Sequence, residues 1–261
     1  MLYLKEFQPW EQMLNKVTNQ FNIKTKGVIH AVVRTNVMNY YHSKNIHPFL
    51  YLPSMVGVNS AFSESLLLKN GYTNDQLIKI EAQRYNYLVK KQFKQNKIKK
   101  ISNSILIITS MIPEETIELL TVFSKANLNF DKVYLKDHPV FPARKLINSF
   151  LKGVSSVEIL KESLSDALEY SDIIYTANGS SSLLEAVLKK KKTISLISLA
   201  TLPTPSIKKA QNLYFVEDEN SFKSKINLIK SINAKHDSDG SILSDLYLSN
   251  DLTLWQNFLI K

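Results

Sequence analysis

Two stretches of this chain bring together the residue types that hold an anion. The first is Asn178-Gly179-Ser180-Ser181-Ser182, where Gly permits a tight turn and three hydroxyls stand at the start of an expected helix. The first turn of a helix offers unpaired N–H groups and the positive end of its dipole, a phosphate cradle that needs no metal. The second is Lys136-Asp137-His138-Pro139. Its Pro fixes the backbone, and an imidazole there donates a hydrogen bond to a phosphate oxygen and loses its own charge near neutrality. Each stretch has a plainer use, the serines as a helix cap and His-Pro as a turn. Their joint placement at strand ends of one sheet gives them weight.

Chemistry at such an anion also calls for a proton acceptor and further cationic contacts. Glu6 and Glu11 flank an aromatic near the N-terminus and are the candidate bases. Five positions apart, they would stand about 140° apart on a helix, and Pro9 makes Glu6 a pre-helix residue. A solvent-facing acidic helix start explains them equally well. Arg84, just after an expected strand, is the candidate clamp for phosphate or carboxylate, against the alternative of a surface Arg. Asp237-Ser-Asp239 has metal-ligand spacing but reads as a polar turn, and His42 and His47 lack partner carboxylates.

The elements that must position these residues are legible from periodicity. Short β-rich runs at residues 105–109, 133–136, 157–160, 172–176, 193–197 and 213–216 alternate with helical patterns, among them a Pro113-led helix, one through residues 144–151 and one from Leu183. That alternation is the mark of a parallel sheet with crossover helices. In open sheets of this kind ligands bind beyond the carboxyl ends of the strands, which is where both anion-binding stretches fall. The first part of the chain carries an amphipathic helix at residues 9–21 and strands at 27–33, 56–59 and 77–81. The expected organisation is an N-terminal Rossmann-like domain at 1–90, a basic linker at 91–102, a second Rossmann-like domain at 103–240, and a C-terminal helix at 241–261 packing back on the fold.

Composition narrows the partners. The 261 residues include 33 Lys and Arg against 23 Asp and Glu, a formal charge of +10 that favours an anionic partner. The Lys-, Asn-, Ile- and Ser-rich background of an AT-rich genome accounts for part of that charge. The basic residues do not interleave with aromatics in a reader motif, so nucleic acid is not expected. No cysteine is present, which excludes disulfides, thiolate metal sites and a cysteine nucleophile. The N-terminal residues show no signal-peptide pattern and no apolar run reaches membrane-span length, so a cytoplasmic location with at most peripheral membrane contact is expected.

Lys136-Asp-His-Pro139, followed about forty residues later by Ser171-Asp-Ile-Ile-Tyr-Thr-Ala-Asn-Gly-Ser-Ser-Ser-Leu-Leu-Glu-Ala186, resembles the C-terminal domain of GT-B glycosyltransferases. The likeness is to bacterial transferases that use CMP-activated sialic acid, related nonulosonates or Kdo. It implies that His138, Ser180, Ser181 and Ser182 contact the nucleotide phosphate and that Glu185 meets the ribose. Glu6-Phe-Gln-Pro-Trp-Glu11, Gly27-Val-Ile-His30, Leu52-Pro-Ser54 with Val58-Asn59, and Gly71 with Gln83-Arg84-Tyr85-Asn-Tyr87 resemble surface-carbohydrate (O-antigen or capsule) biosynthesis proteins.

The fold implied is α/β and GT-B-like, two Rossmann-like domains with the N-terminal one truncated, its first βα units missing or supplied by a partner. The function implied is metal-independent transfer of a sugar from a nucleotide donor to a surface polysaccharide or lipid-linked glycan, with the nucleotide-sugar as substrate and no cofactor. Polyol-phosphate transfer, sugar-nucleotide epimerisation and a noncatalytic nucleotide-binding subunit remain as alternatives. The Asp/Glu-Asp/Glu-Gly motif that carries the base in sialyltransferases is not found where expected, which leaves the base open.

Overall fold

From Ser104 onward the central strands of the sheet are buried on both faces, as a sheet covered by helices on either side requires. The computed structural model describes residues 1–6, 8–31, 51–88, 101–152, 154, 156–178, 181–198, 210–231, 245–249 and 251–261. Gly179, Ser180, His42, His47, Asp237-Ser-Asp239 and the basic stretch at 91–100 therefore lie outside the described residues. The chain divides into two compact units, residues Met1–Gln92 with Gly240–Lys261, and residues Phe93–Asp239. Among the described residues no helix is long and apolar enough to cross a membrane.

The first unit holds β1 (Leu2–Leu4), α1 (Pro9–Gln20), β2 (Lys26–Val28), β3 (Met55–Val58), α2 (Ala61–Lys69) and β4 (Leu77–Lys79), with α8 (Thr253–Ile260) returning from the end of the chain. Its strands form a four-stranded parallel sheet in the order β1-β2-β3-β4. Strand β1 is not among the expected elements, because three residues are too few to show a period; the sheet already has a strand before Glu6. Helix α8 begins where the Glu81 carboxylate accepts the N–H groups of Leu254 and Trp255, both at 2.8 Å, and it buries Phe258 against Val28 and Ile80. Gly57 makes that packing fit. A Cβ there would stand 2.8 Å from Ile80 and 3.3 Å from Phe258.

The second unit runs β5 (Ser104–Ile108), α3 (Pro113–Ala126), β6 (Lys132–Lys136), α4 (Arg144–Phe150), β7 (Val157–Leu160), α5 (Leu164–Ala167), β8 (Ile173–Ala177), α6 (Ser182–Leu188), β9 (Lys192–Leu196), β10 (Leu213–Val216) and α7 (Glu219–Ser231). All its strands are parallel, in the order β10-β9-β8-β5-β6-β7. One core layer joins Ile105, Ile107, Tyr175 and Ile194 to Leu119, Phe123 and Phe222 from the helices, and a second joins Leu106, Ile108 and Ile174 to Leu168 and Ala186. Each such side chain contributes about 1.5–3 kcal/mol by leaving water. The sequence steps outward from β5 through β6 to β7 and then crosses to β8 on the other side. The topological switch point, where loops diverge and leave a crevice, lies between β5 and β8.

Candidate functional site

Three loops leave the carboxyl edge of the second unit's sheet around that switch point, after β5, β6 and β8. The loop after β5 is braced from within. Ser110 donates its hydroxyl to the buried Glu115 carboxylate in the first turn of α3, and its N–H reaches the Thr116 hydroxyl at 3.1 Å. Thr109 ties this loop to the next. Its N–H reaches the Lys136 carbonyl at 3.1 Å, and its hydroxyl accepts the His138 N–H at 2.9 Å.

His138 is thereby fixed in backbone position, and its ring is half-buried. Nδ1 accepts the Val140 N–H at 3.2 Å, so the neutral ring carries its proton on Nε2, the donor that a phosphate oxygen needs. Burial holds this imidazole below its usual pKa. Asp137 Oδ1 accepts the Ala143 N–H at 3.0 Å and Phe141 N–H returns to the His138 carbonyl, with exposed Pro139 between them. Lys136 takes a different direction. Its ammonium binds the Leu160 carbonyl at 3.4 Å, on β7, across β6 from the switch point.

The loop after β8 begins with Asn178, which is 2% exposed. Its N–H bonds the Leu196 carbonyl at 3.0 Å and its Oδ1 accepts the Ser195 hydroxyl at 3.5 Å, which aims the amide nitrogen. That Nδ2 has no acceptor. A buried donor left unsatisfied costs about 1–3 kcal/mol, so a group with this placement calls for an explanation. Ser181 is the N-cap residue of α6 and is half-buried; Ser182 is 4% exposed, with its hydroxyl 3.3 Å from that of Thr176, which ties α6 to β8. Glu185, 6% exposed, sits in the first turn of α6. His138 and Ser181 follow β6 and β8, the two strands that flank β5. Their strand ends are two spacings apart, roughly 10 Å.

In the first unit, Glu6, His30, Asn59 and Arg84 follow the carboxyl ends of β1, β2, β3 and β4 in turn. Glu11 has another task. It is fully buried, pairs with the equally buried Lys5 at 3.4 Å, and accepts the N–H groups of Glu6 at 2.7 Å and Gln8 at 3.0 Å. Expected as a candidate base, it instead closes the start of α1, because a carboxylate at the third helical position reaches back to the orphan N–H groups before it. Glu6 remains half-exposed, and its carboxylate approaches His30 Nε2 at 3.8 Å. The Asn59 amide holds the loop beyond His30 by donating to the Ala31 carbonyl at 3.2 Å. Arg84 is exposed in the 3-10 turn Gln83–Leu88, with its guanidinium 5.9 Å from the Tyr85 ring centroid.

His30, Thr109 and Ser110 were open to discovery by the same rule that singles out His138. Each stands within two residues of a strand's carboxyl end; Thr109 and Ser110 follow the strand at the switch point itself.

No protein-family model matches the chain, and no curated protein is similar to it in sequence. Solved structures are similar in fold. UDP-GlcNAc 2-epimerase from Neisseria meningitidis bound to UDP-GlcNAc aligns with a TM-score of 0.61 at 16% identity, over 99% of this chain and 74% of that one. S. aureus MnaA in complex with UDP aligns with a TM-score of 0.64 at 12% identity, over 99% and 73%. Anabaena Alr3699/HepE in complex with UDP-glucose aligns with a TM-score of 0.55 at 11% identity, over 99% and 77%. At such identities the likeness bears on architecture alone, and it establishes two parallel-sheet Rossmann-like units of the GT-B-like kind.

Proposed function

We propose that the chain is a nucleotide-sugar enzyme that grips a nucleoside diphosphate at the β5–β8 switch point and acts on the sugar end of that ligand. The observation that carries the reading is the Asn178 amide, a buried donor without an acceptor, on the strand end across β5 from His138. Both present neutral N–H donors. Such donors favour a phosphate that gains charge as its bond to the anomeric carbon breaks. Glu185, also buried at this edge, is the group proposed for the ribose, and Ser181 supports the phosphate loop. Neither role requires a metal.

The neighbours favour epimerisation as the first reading, since the Neisseria protein is a UDP-GlcNAc 2-epimerase and the others hold UDP or UDP-glucose. A second reading, transfer of the sugar to a surface-glycan acceptor, rests on the His-Pro and Ser-Ser stretches that resemble those of glycosyltransferases. The two share their nucleotide site and differ in what meets the sugar. Either reaction needs a proton acceptor, and in the first unit Glu6 beside His30 is proposed to be one, with Arg84 as a contact for the ligand's negative charge.

Calorimetry with UDP-, CMP- and GDP-sugars, joined to proton NMR of the incubated ligand, tests this. Binding of a UDP-sugar with appearance of its C2 epimer is the expected result. Nucleotide release that depends on an added glycan acceptor replaces epimerisation by transfer. Failure of every nucleotide to bind overturns both, since a ligand at 100 times its Kd should add about 2.7 kcal/mol of stability.

A further inference from the structure

We propose that residues 245–249 are a positioning clasp for the proton acceptor of the first unit, with Tyr247 and Asn59 setting where His30 stands beside Glu6. This rests on the reading of Glu6 beside His30 as that acceptor. The five residues run Asp-Leu-Tyr-Leu-Ser, shortly before α8. Leu246 is buried and forms an antiparallel bridge with Ser60. Tyr247 commits both of its backbone groups to the sheet: its N–H donates to the Asn59 carbonyl at 3.0 Å, and its own carbonyl accepts the Ala82 N–H at 2.7 Å. Asn59 is the first residue after β3 and Ala82 the third after β4, and those two strands are neighbours. One residue therefore joins the carboxyl ends of two strands about 4.8 Å apart.

The side chain of Tyr247 fastens the clasp to α2. Its phenol donates to the Glu64 carboxylate at 2.5 Å, in the first turn of that helix. The Lys79 ammonium, from β4, lies 3.7 Å from Glu64 and 5.3 Å from the Tyr247 ring centroid. Burial first, and then the Glu64 carboxylate, push the phenol far above its ordinary pKa. It stays protonated through the neutral range and keeps its charge-assisted bond.

What the clasp holds is Asn59, which is 1% exposed. Tyr247 fixes its carbonyl, and its amide is fixed at both ends: Oδ1 accepts the Ser63 hydroxyl at 3.4 Å and Nδ2 donates to the Ala31 carbonyl at 3.2 Å. Ser63 is in turn bound to Ser60, the residue that bridges to Leu246. Ala31 adjoins His30, and among the described residues this is the one hydrogen bond that reaches either of them. His30 Nε2 stands 3.8 Å from the Glu6 carboxylate, close enough for attraction and too far for a hydrogen bond. A closure of less than about 1 Å would let the pair share a proton, and a misplacement of about 1 Å at such a group can change a rate by about 100-fold. Asn59 therefore governs a gap in which tenths of an ångström count.

The test uses the 261-residue chain carrying Tyr247→Phe, which keeps the ring and both backbone bonds and loses only the bond to Glu64, or Asn59→Ala, which frees the Ala31 carbonyl. The His30 ring is followed by proton–carbon NMR, its signal assigned by its loss in His30→Gln, with the His138 ring as reference. Both variants should displace the His30 signal and leave that of His138 unmoved. With a UDP-sugar they should keep the nucleotide Kd within about twofold and lower kcat, by roughly 10- to 100-fold for Asn59→Ala and less for Tyr247→Phe. A strap that only stiffens the sheet would do neither. An unmoved His30 signal in both variants, or a loss that falls on nucleotide Kd rather than on kcat, overturns the clasp. If Asn59→Ala does not fold, Tyr247→Phe carries both readouts. A wild-type chain that binds no nucleotide overturns the nucleotide-sugar reading instead, and the His30 signal still decides whether the clasp sets that side chain.

Discussion

Replacing Glu11 by Gln keeps the shape of the α1 start and removes one charge from a buried pair, which makes its effect calculable. The amide oxygen of Gln still accepts the N–H groups of Glu6 and Gln8, so the helix cap survives. Lys5 does not escape. It is 3% exposed and its ammonium lies 3.4 Å from Glu11. Breaking one side of a buried pair costs about 3–5 kcal/mol. An independent ceiling agrees: Lys5 can shed its proton instead, and holding a lysine neutral at pH 7 costs about 4.6 kcal/mol from an ordinary pKa near 10.4. Burial already holds Lys5 below that value, with Glu11 opposing the shift; without Glu11 it falls further.

The unfolded chain then binds a proton that the folded variant does not, so stability of the variant rises with pH across the window from the depressed value up to about 10.4. The wild-type window is narrower. The deficit of Glu11→Gln is therefore about 3–4 kcal/mol at pH 7 and shrinks towards pH 10. Urea denaturation followed by tryptophan fluorescence measures it cleanly, because both tryptophans, Trp10 and Trp255, belong to the first unit. Lys5→Met with Glu11→Gln should recover most of the loss. A deficit below about 1 kcal/mol at pH 7, or one that does not change with pH, would falsify the account of this pair.

His138 should make nucleotide-sugar affinity pH-dependent: a bound phosphate raises the pKa that burial has lowered, so affinity measured by calorimetry climbs as falling pH protonates the bound imidazole and flattens once the free imidazole is itself protonated. His138→Gln should abolish that slope. Asn178→Leu removes the unsatisfied Nδ2 donor but also the acceptor of the Ser195 hydroxyl, so the melting temperature of the free protein should change little while the thermal shift produced by nucleotide is lost; a retained shift contradicts the role given to Nδ2. Gly57→Ala forces a methyl into Ile80 and Phe258 and should destabilise the first unit by about 1–3 kcal/mol in the same fluorescence assay, with α8 losing protection in hydrogen exchange.

The second unit is the more legible half of this chain because its central strands are buried on both faces. Ile105–Ile108 and Ile173–Tyr175 read as unbroken apolar runs, and the Pro and acidic residues opening α3 mark its start without tertiary help. The helix Glu219–Ser231 is hidden by its polar face, although Phe222, Ile226 and Ile229 recur at helical spacing. In the first unit the strands are three or four residues long, too short for a pattern to declare itself, and β1 escapes notice for that reason. The site divides the same way. His138 and the serine stretch stand out by residue type, whereas Thr109 and Ser110 look ordinary by type and are marked only by following the end of β5. Glu11 illustrates the converse: a conspicuous carboxylate whose neighbour Lys5, five residues upstream of Trp10, decides that it serves the fold.

Because Phe258, Trp255 and the Glu81-capped start of α8 complete the first unit, that unit is assembled from segments on either side of the second. Its strands leave the ribosome before Phe93–Asp239 but stay unfinished until α8 emerges, whereas Phe93–Asp239 is continuous and has all its strands in hand earlier. Vectorial synthesis thus favours folding of the middle before the beginning, and during that interval the exposed sheet of the nascent N-terminal segment is the natural client for a chaperone.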